Sequence, residues 1–584
     1  MSEPHKSIKN RKTQWLEIIP PLIPLTMGFT LISSMLDDDA YITFWSAHIL
    51  AETGEIVNYN GDRVEQSSSL AFVVLLAIFV KLLPIVLPTF SPLLSGIFGA
   101  GTVFLTQRLM SQLNPALSIY AGLLVGSATS LIVWSVSGME ATFLAFLAVW
   151  YLLTLTDFIE NKFTIQKGLL IGTTTVLYLM ARPESVFVII SVLLALIALL
   201  FFRLKLIENA NREEALVTLQ RARTVILFTI LAATVLGIFR HLYFGDWFPQ
   251  PVSAKISGLS RSKLIYGINY MLDNAWLNYD SAIWILGLMG ISFSLFRSVK
   301  ETRLCYLRTL VMLFTASYAS FILFSGGDWM IGGRFLVPLL PGMVIMALEI
   351  LQFIKPARLM KLVIGLMVSI QIFTTFAFAR NESFGGPIWA AEHVNYSLLP
   401  DDSSWFEQRQ RHTYHDIAMT TQLDNIIQKL RTQKGGEKVS ILSGQMGQVM
   451  FYVTSRNYGH LHVIDRYALV TRDFTSCPIT ASNPRFSVGL IVSYDFFFEH
   501  SEEIEKTCSI KRPDIIWDWG SSIHNKKSIE EKGYSIVYWQ DGFVINGSEW
   551  FPGSAVKARE FIAVRNDLLN DELPETIYDF SSGN

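Results

Sequence analysis

The sequence predicts a polytopic α-helical membrane protein ending in a soluble α/β domain, and three observations carry that expectation. The 584 residues are 51% hydrophobic and 16% charged, with a mean hydropathy of +0.37, too apolar for a soluble protein of several domains. Apolar segments of membrane-spanning length recur from near the N-terminus to about residue 379. The remaining roughly 200 residues are polar, with short strand-like runs between helical ones. The net charge of −2 argues against a nucleic-acid partner, because no basic stripe stands out beyond the inter-helix loops. Three cysteines are too few for a disulfide scaffold, and no CxxC pair or Cys/His cluster has metal-ligand spacing.

In chain order, HKSIKNRKTQWLEII is a basic stretch before an apolar run that has no small-residue cleavage site, the pattern of a retained signal anchor. Spanning segments are expected at roughly 16–36, 68–89, 92–110, 116–136, 139–157, 167–181, 184–202, 224–243, 281–297, 304–325, 334–354 and 361–379. Lys and Arg gather around Arg108, at Lys162 and Lys167, in RLKLIENANREEALVTLQRAR, from Arg297 to Arg308 and in KPARLMK, so the positive-inside rule places those linkers in the cytoplasm. With a cytoplasmic N-terminus, about eleven crossings satisfy every basic loop and one more does not. The segment at 68–89 carries Lys81, Pro84 and Pro88 and is the one expected to dip or lie along the outer face. Residues 1–379 therefore read as the membrane domain, with a first extracytoplasmic loop at 37–91, and residues 380–584 as an extracytoplasmic α/β domain. Within that domain KVSILSG, SVGLIVSY and YSIVYW read as strands and HDIAMTTQLDNIIQKLRTQ as a helix.

This topology delivers every chemically loaded segment to one face: DDDAYI, SGME, ARPE, FGDWFPQPVSAK and SGGDWMIGGR. Asp37, Asp38 and Asp39 follow the first helix, where one acidic residue would read as a solvated helix end. Three adjacent carboxylates at a low-dielectric boundary repel one another and oppose the helix dipole, an arrangement that suits a general base or a metal ligand. His48 lies in an aromatic stretch at helical spacing and reads as structural. Arg182 stands within the apolar zone; either Glu184 or Glu140 pairs with it internally, or it captures a phosphate. Asp246, Trp247 and Lys255 occupy one loop, and Asp328, Trp329 and Arg334 repeat the Gly-Asp-Trp arrangement in another. Either motif alone would read as a loop with an interfacial tryptophan. Together they supply aromatic faces for a sugar ring, carboxylates for hydroxyls and cations for a phosphate near the bilayer. No Walker loop, GxSxG, HExxH or dinucleotide fingerprint is present, which makes soluble nucleotides poor donors.

In order along the chain, DDDAYITFWSAHILAETGEIVNYNGDRVEQSSS, SGMEATFLAF, ARPESV, FGDWFPQPVSAK, SGGDWMIGGRFLVPLLP and SGQMGQVMFYVTSRNYGHLHVIDRYALVTRDF resemble the class C (GT-C) membrane glycosyltransferases. Within that class the likeness is to the branch of the actinobacterial terminal β-(1→2) arabinofuranosyltransferase and the pilin arabinosyltransferase. The resemblance implies a GT-C fold in a bacterial inner membrane, a polyprenyl-phosphate sugar donor, transfer of arabinofuranose or a similar sugar to an extracytoplasmic glycan or protein, and a catalytic acidic pair in the first outer loop. The family's DDAYI falls on Asp38, Asp39, Ala40, Tyr41 and Ile42, leaving Asp37 as an extra acid. Where the family runs on to threonine-serine-proline-leucine, this chain has SSSL, Ser67 to Leu70.

On this reading Asp38 and Asp39 are the catalytic candidates. Arg182, Glu140, Asp246, Trp247, Lys255, Asp328, Trp329 and Arg334 are the candidates for the donor. No cofactor is expected; adjacent carboxylates bind Mg²⁺ or Mn²⁺, but no second acidic cluster completes such a site. The rival class is a transporter or flippase of lipid-linked sugars, which predicts internal repeats that the sequence does not show. Cys477 and Cys508 fall in the outer domain, where an oxidising compartment would join them or both stay thiols. Trp517, Trp519, Asp465 and Tyr467 either line an acceptor cleft or pack the domain core.

Overall fold

The computed structural model describes residues 17–32, 36, 38–206, 212–255, 260–277, 281–300, 305–328, 330, 332–379, 405–481, 483, 485–486, 489–520, 526–545 and 556–569. Asp37, Trp329 and the basic N-terminal stretch lie outside the described residues. Among those described, seven helices are long and apolar enough to cross a membrane: Leu87–Leu113, Ala141–Glu160, Glu184–Lys205, Ala215–Phe244, Ala282–Lys300, Tyr306–Ser325 and Ala357–Ala377. Shorter apolar helices at Ile19–Ile32, Pro115–Gly126, Ile165–Ala181 and Leu340–Leu351 coincide with the other expected segments. The chain is a multi-pass, mostly helical membrane protein with a sheet-containing C-terminal part. Its contacts divide it into two compact units, Met1–Met35 with Thr89–Ala233 and Arg261–Gly385, and Leu36–Pro88 with Thr234–Ser260 and Gly386–Asn584.

Polar and small residues knit the first unit, as expected where lipid supplies no hydrophobic drive between helices. Gly290 lets its helix approach Leu340–Leu351 so closely that a side chain there would overlap the backbone of Met346. The expected span at 116–136 is broken into Ser118–Gly126 and Thr129–Trp134. At the break, Ser127 Oγ donates to Gln371 Oε1 at 2.7 Å and the hydroxyls of Thr129 and Thr375 meet at 3.0 Å, which compensates the interrupted ladder. Helix Arg261–Leu277 is an element that hydropathy missed; its Tyr270 hydroxyl accepts the backbone N–H of Phe335 at 3.1 Å.

In the second unit a five-stranded sheet has the order β2-β1-β5-β7-β6, formed by β1 (Val439–Ser443), β2 (Leu461–Asp465), β5 (Ile515–Gly520), β6 (Tyr534–Ile545) and β7 (Val556–Arg565). β1 pairs in parallel with β2 and β5, whereas β7 is antiparallel to β5 and β6. Alternate residues of the central strands point to opposite faces, both buried, so these strands read as nearly continuous apolar runs. Val439, Ile441, Val463, Ile515 and Trp517 share one core with Leu423, Ile427 and Leu430 of the Trp405–Gln433 helix. Ile42, Trp45 and Ile49 of the Ala40–Thr53 helix enter that same core. Among its described residues SVGLIVSY, expected as one strand, forms β4 (Gly489–Leu490), paired with β3 (Arg485–Phe486). Ser493 then accepts the Phe496 N–H and starts a helix at Tyr494, which ends the extended run.

Candidate functional site

In the second unit, Asp38 and Asp39 form the turn that opens the Ala40–Thr53 helix, their carbonyls accepting the N–H groups of Tyr41 and Ile42 at 3.1 and 3.2 Å. Oδ1 of Asp38 accepts the backbone N–H of Gln448, the first residue of the Gln448–Asn457 helix, at 2.7 Å. Behind the pair, Trp45 donates to Val57 O at 3.1 Å and Tyr59 donates its phenol proton to Met446 O at 2.8 Å. Burial first, then the charges of Asp38, Asp465 and Asp39, push the Tyr59 phenol well above its ordinary range, so it stays a donor. Asn58 and Asn60 bond the backbone at Val470 and Val463. The loop after the acidic pair is thus fixed as firmly as a core element.

The Ser67–Leu70 departure has a local account. Thr43 and Ser67 hydroxyls lie 2.9 Å apart, and Ser67 Oγ accepts the Ser69 N–H at 3.3 Å. Ser69, at the place of the family's proline, has φ −123° and donates an N–H that proline lacks. The following helix, Leu70–Leu82, has 13 residues and a length of about 20 Å, short of the roughly 30 Å hydrocarbon core.

Of the donor candidates in this unit, Asp246 pairs with Arg472 at 2.7 Å. Trp247 is 54% exposed and stacks on His241 with ring centroids 4.5 Å apart. Lys255 ends the short Gln250–Lys255 helix. Sequence reasoning missed the bidentate pair between buried Glu65 and Arg240, at 2.6 and 2.9 Å, whose only sequence signal is a lone arginine in an apolar helix. It missed Gly447 and Gln448 as well, although both stand in the quoted SGQMGQ.

In the first unit, Arg182 makes both of the internal pairs weighed above, donating from Nη1 to Glu140 at 2.6 Å and from Nε to Glu184 at 2.9 Å. Arg334 pairs with Asp328 at 2.8 Å. Both guanidiniums lie 5.4 Å from the centroid of the Phe335 ring, and both arginines and their three carboxylate partners are buried. Gly332 and Gly333, with φ of 87° and 67°, turn the chain so that Arg334 faces inward. Trp134 Nε1 secures that turn at Gly332 O, 2.9 Å away. Glu140 is placed by the Gly138–Met139 backbone, whose carbonyls accept Ser91 and Ser95 hydroxyls at 2.6 and 3.0 Å. Two guanidiniums and three carboxylates form an ordered, nearly neutral cluster that fixes donor groups in direction.

In the sheet domain Cys477 and Cys508 are joined as a disulfide. Trp517 is buried and bonds Glu560 at 3.1 Å, and Asp465 is buried at the end of β2 with Oδ1 and Oδ2 accepting the N–H groups of Tyr467, Leu469 and Val470. Both are core residues, Tyr467 is half-buried, and the Trp519 side chain lies outside those described.

No family model matches the chain, and no curated protein matches it. Among solved structures, ArnT from Cupriavidus metallidurans in the apo state is similar with a TM-score of 0.52 at 13% identity, over 96% of this chain and 100% of that one. The same protein bound to undecaprenyl phosphate gives 0.51 at 14% identity, over 96% and 99%. The archaeal oligosaccharyltransferase AglB from Archaeoglobus fulgidus, in complex with an inhibitory peptide and a dolichol-phosphate, gives 0.46 at 13% identity over 87% of this chain and 69% of that one. At these identities the likeness to ArnT establishes the fold, and the chain has the GT-C architecture.

Proposed function

We propose that this protein is a membrane glycosyltransferase that moves a sugar from a polyprenyl-phosphate donor to an acceptor outside the cytoplasm. The observation that carries the reading is the Asp38–Asp39 pair, placed at a rigid helix start by a backbone hydrogen bond and a shared core. A carboxylate fixed this way serves either as the base for an acceptor hydroxyl or as the charge opposite an oxocarbenium-like anomeric carbon. The similarly folded ArnT was solved with undecaprenyl phosphate, which supports a lipid-phosphate donor. The departing phosphate is assigned to Arg182, Arg334 or Lys255, the ion pairs of the two arginines holding their guanidiniums in direction before the donor arrives. Trp247 is assigned to a sugar or prenyl face, Asp246 to ordering Arg472, and Asp328 and Glu140 to ordering Arg334 and Arg182. Arabinofuranose is the sugar that the motif resemblance favours, and the sheet-containing domain is assigned to the extracytoplasmic side. Mass spectrometry of surface glycans from cells with and without the active protein tests this. A loss of one pentose-sized unit is the expected result; identical glycans would refute the proposal.

A further inference from the structure

The acidic pair meets the sheet domain at Gly447 and Gln448. Asp38 accepts the Gln448 N–H at 2.7 Å, and its carboxylate lies so close over Gly447 that a methyl group on Gly447 would overlap it. Gly447 has φ −88°, so the demand for glycine here is for space and not for a left-handed backbone. The 10-residue Gln448–Asn457 helix brings its N-terminal dipole to the same oxygens, and both the dipole and the hydrogen bond favour the ionised carboxylate. Packing overdetermines the placement. Val449, Met450 and Val453 share a core with Ile42 and Trp45, and Tyr59 bonds Met446 at 2.8 Å just before Gly447.

We infer that Gly447 is a positioning residue for sugar transfer: with the Gln448 N–H it holds Asp38 as an oriented carboxylate through the reaction. This rests on the proposed catalytic role of the pair. Held in that way the Asp38 carboxylate keeps one direction toward the anomeric carbon while the pair serves the acceptor hydroxyl. In that step the acceptor oxygen bonds to the anomeric carbon, its proton passes to a carboxylate of the pair, and the bond to the phosphate oxygen breaks with the electron pair leaving on the phosphate.

Steady-state kinetics of the full-length protein with a synthetic polyprenyl-phosphate sugar test the inference. Gly447→Ala should lower kcat by about 100-fold while donor KM stays within about threefold, as for a misplaced reacting group. A carboxylate that loses its N–H partner ionises at higher pH, so the acid limb of kcat/KM should move upward. On the residual rate of Asp38→Asn, the Gly447→Ala change should cost nothing further, because both act through one group. Gln448→Pro removes only the N–H at a helix position that tolerates proline, and should reproduce the kcat loss and pH shift if Gly447→Ala misfolds. Arg456→Ala, at the far and half-exposed end of the same helix, should behave as wild type. Unchanged kcat and acid limb in both contact variants, or an equal loss on the Asp38→Asn background, would overturn the inference. Wild-type transfer by Asp38→Asn alone would instead overturn the catalytic reading on which it rests.

Discussion

Asp38 and Asp39 are adjacent in the chain, and the carboxylate of Asp38 accepts the Gln448 N–H, 410 positions along. The acidic pair was legible in DDDAYI, whereas a partner at that separation leaves no local pattern. Arg182 was similarly half legible: its cost in an apolar zone announced partners, and the structure uses Glu140 and Glu184 together. Removing the arginine leaves two buried carboxylates without that partner, so Arg182→Ala should lower stability by roughly 3 to 5 kcal/mol. Thermal unfolding in detergent would measure it, and an unchanged midpoint would contradict the cluster. Asp465 offers a pH test. Burial pushes its carboxyl up to about 6 against the opposing pull of three backbone N–H groups. A folded value above the unfolded one means that its contribution to stability is complete below about pH 4 and is lost as pH rises through about 6. Infrared difference spectra should show a protonated carboxyl at pH 5 that is absent from Asp465→Asn; a group already ionised at pH 4.5 would contradict it.

At the scale of elements, hydropathy located the long helices because lipid-facing and buried sides are both apolar, so that length alone identifies them. It missed Arg261–Leu277, whose polar positions dilute the signal. KVSILSG and YSIVYW were read as strands, and β2, β5 and β7 were not, because polar and charged residues such as His462, Asp465, Asp518, Arg559 and Glu560 interrupt their apolar runs. The break at 126–129 was hidden as well, since the hydroxyl and amide partners that make it affordable lie on the Ala357–Ala379 helix. The disulfide joins Cys477, just before a single helical turn at Pro478–Thr480, to Cys508 at the end of the Ser501–Cys508 helix, a sequence separation of 31 residues. Closing a loop of that size contributes about 3 to 4 kcal/mol in the chain-entropy account. Cys477→Ser, or reductant, should therefore lower the unfolding midpoint of this domain. Equal midpoints with and without reductant would count against the bond.

At the scale of the molecule, the GT-C architecture is shared with ArnT although 13% of residues are identical over 96% of this chain. Such a fold survives because apolar length, small residues at helix crossings and a few buried polar ties specify it, and many sequences meet those terms. The chemistry is more demanding, since reacting groups must be held to a fraction of an ångström. Composition and periodicity made the membrane class legible, and ordered motifs pointed to the acidic pair; neither could show that the loop of the pair and the C-terminal sheet share one core. The central claim is that this pair performs sugar transfer. Its most direct test is the transfer rate of purified Asp38→Asn and Asp39→Asn with a synthetic polyprenyl-phosphate sugar, membrane insertion being verified for each. Both variants should lose transfer by at least about 1,000-fold; wild-type rates in both would contradict the account.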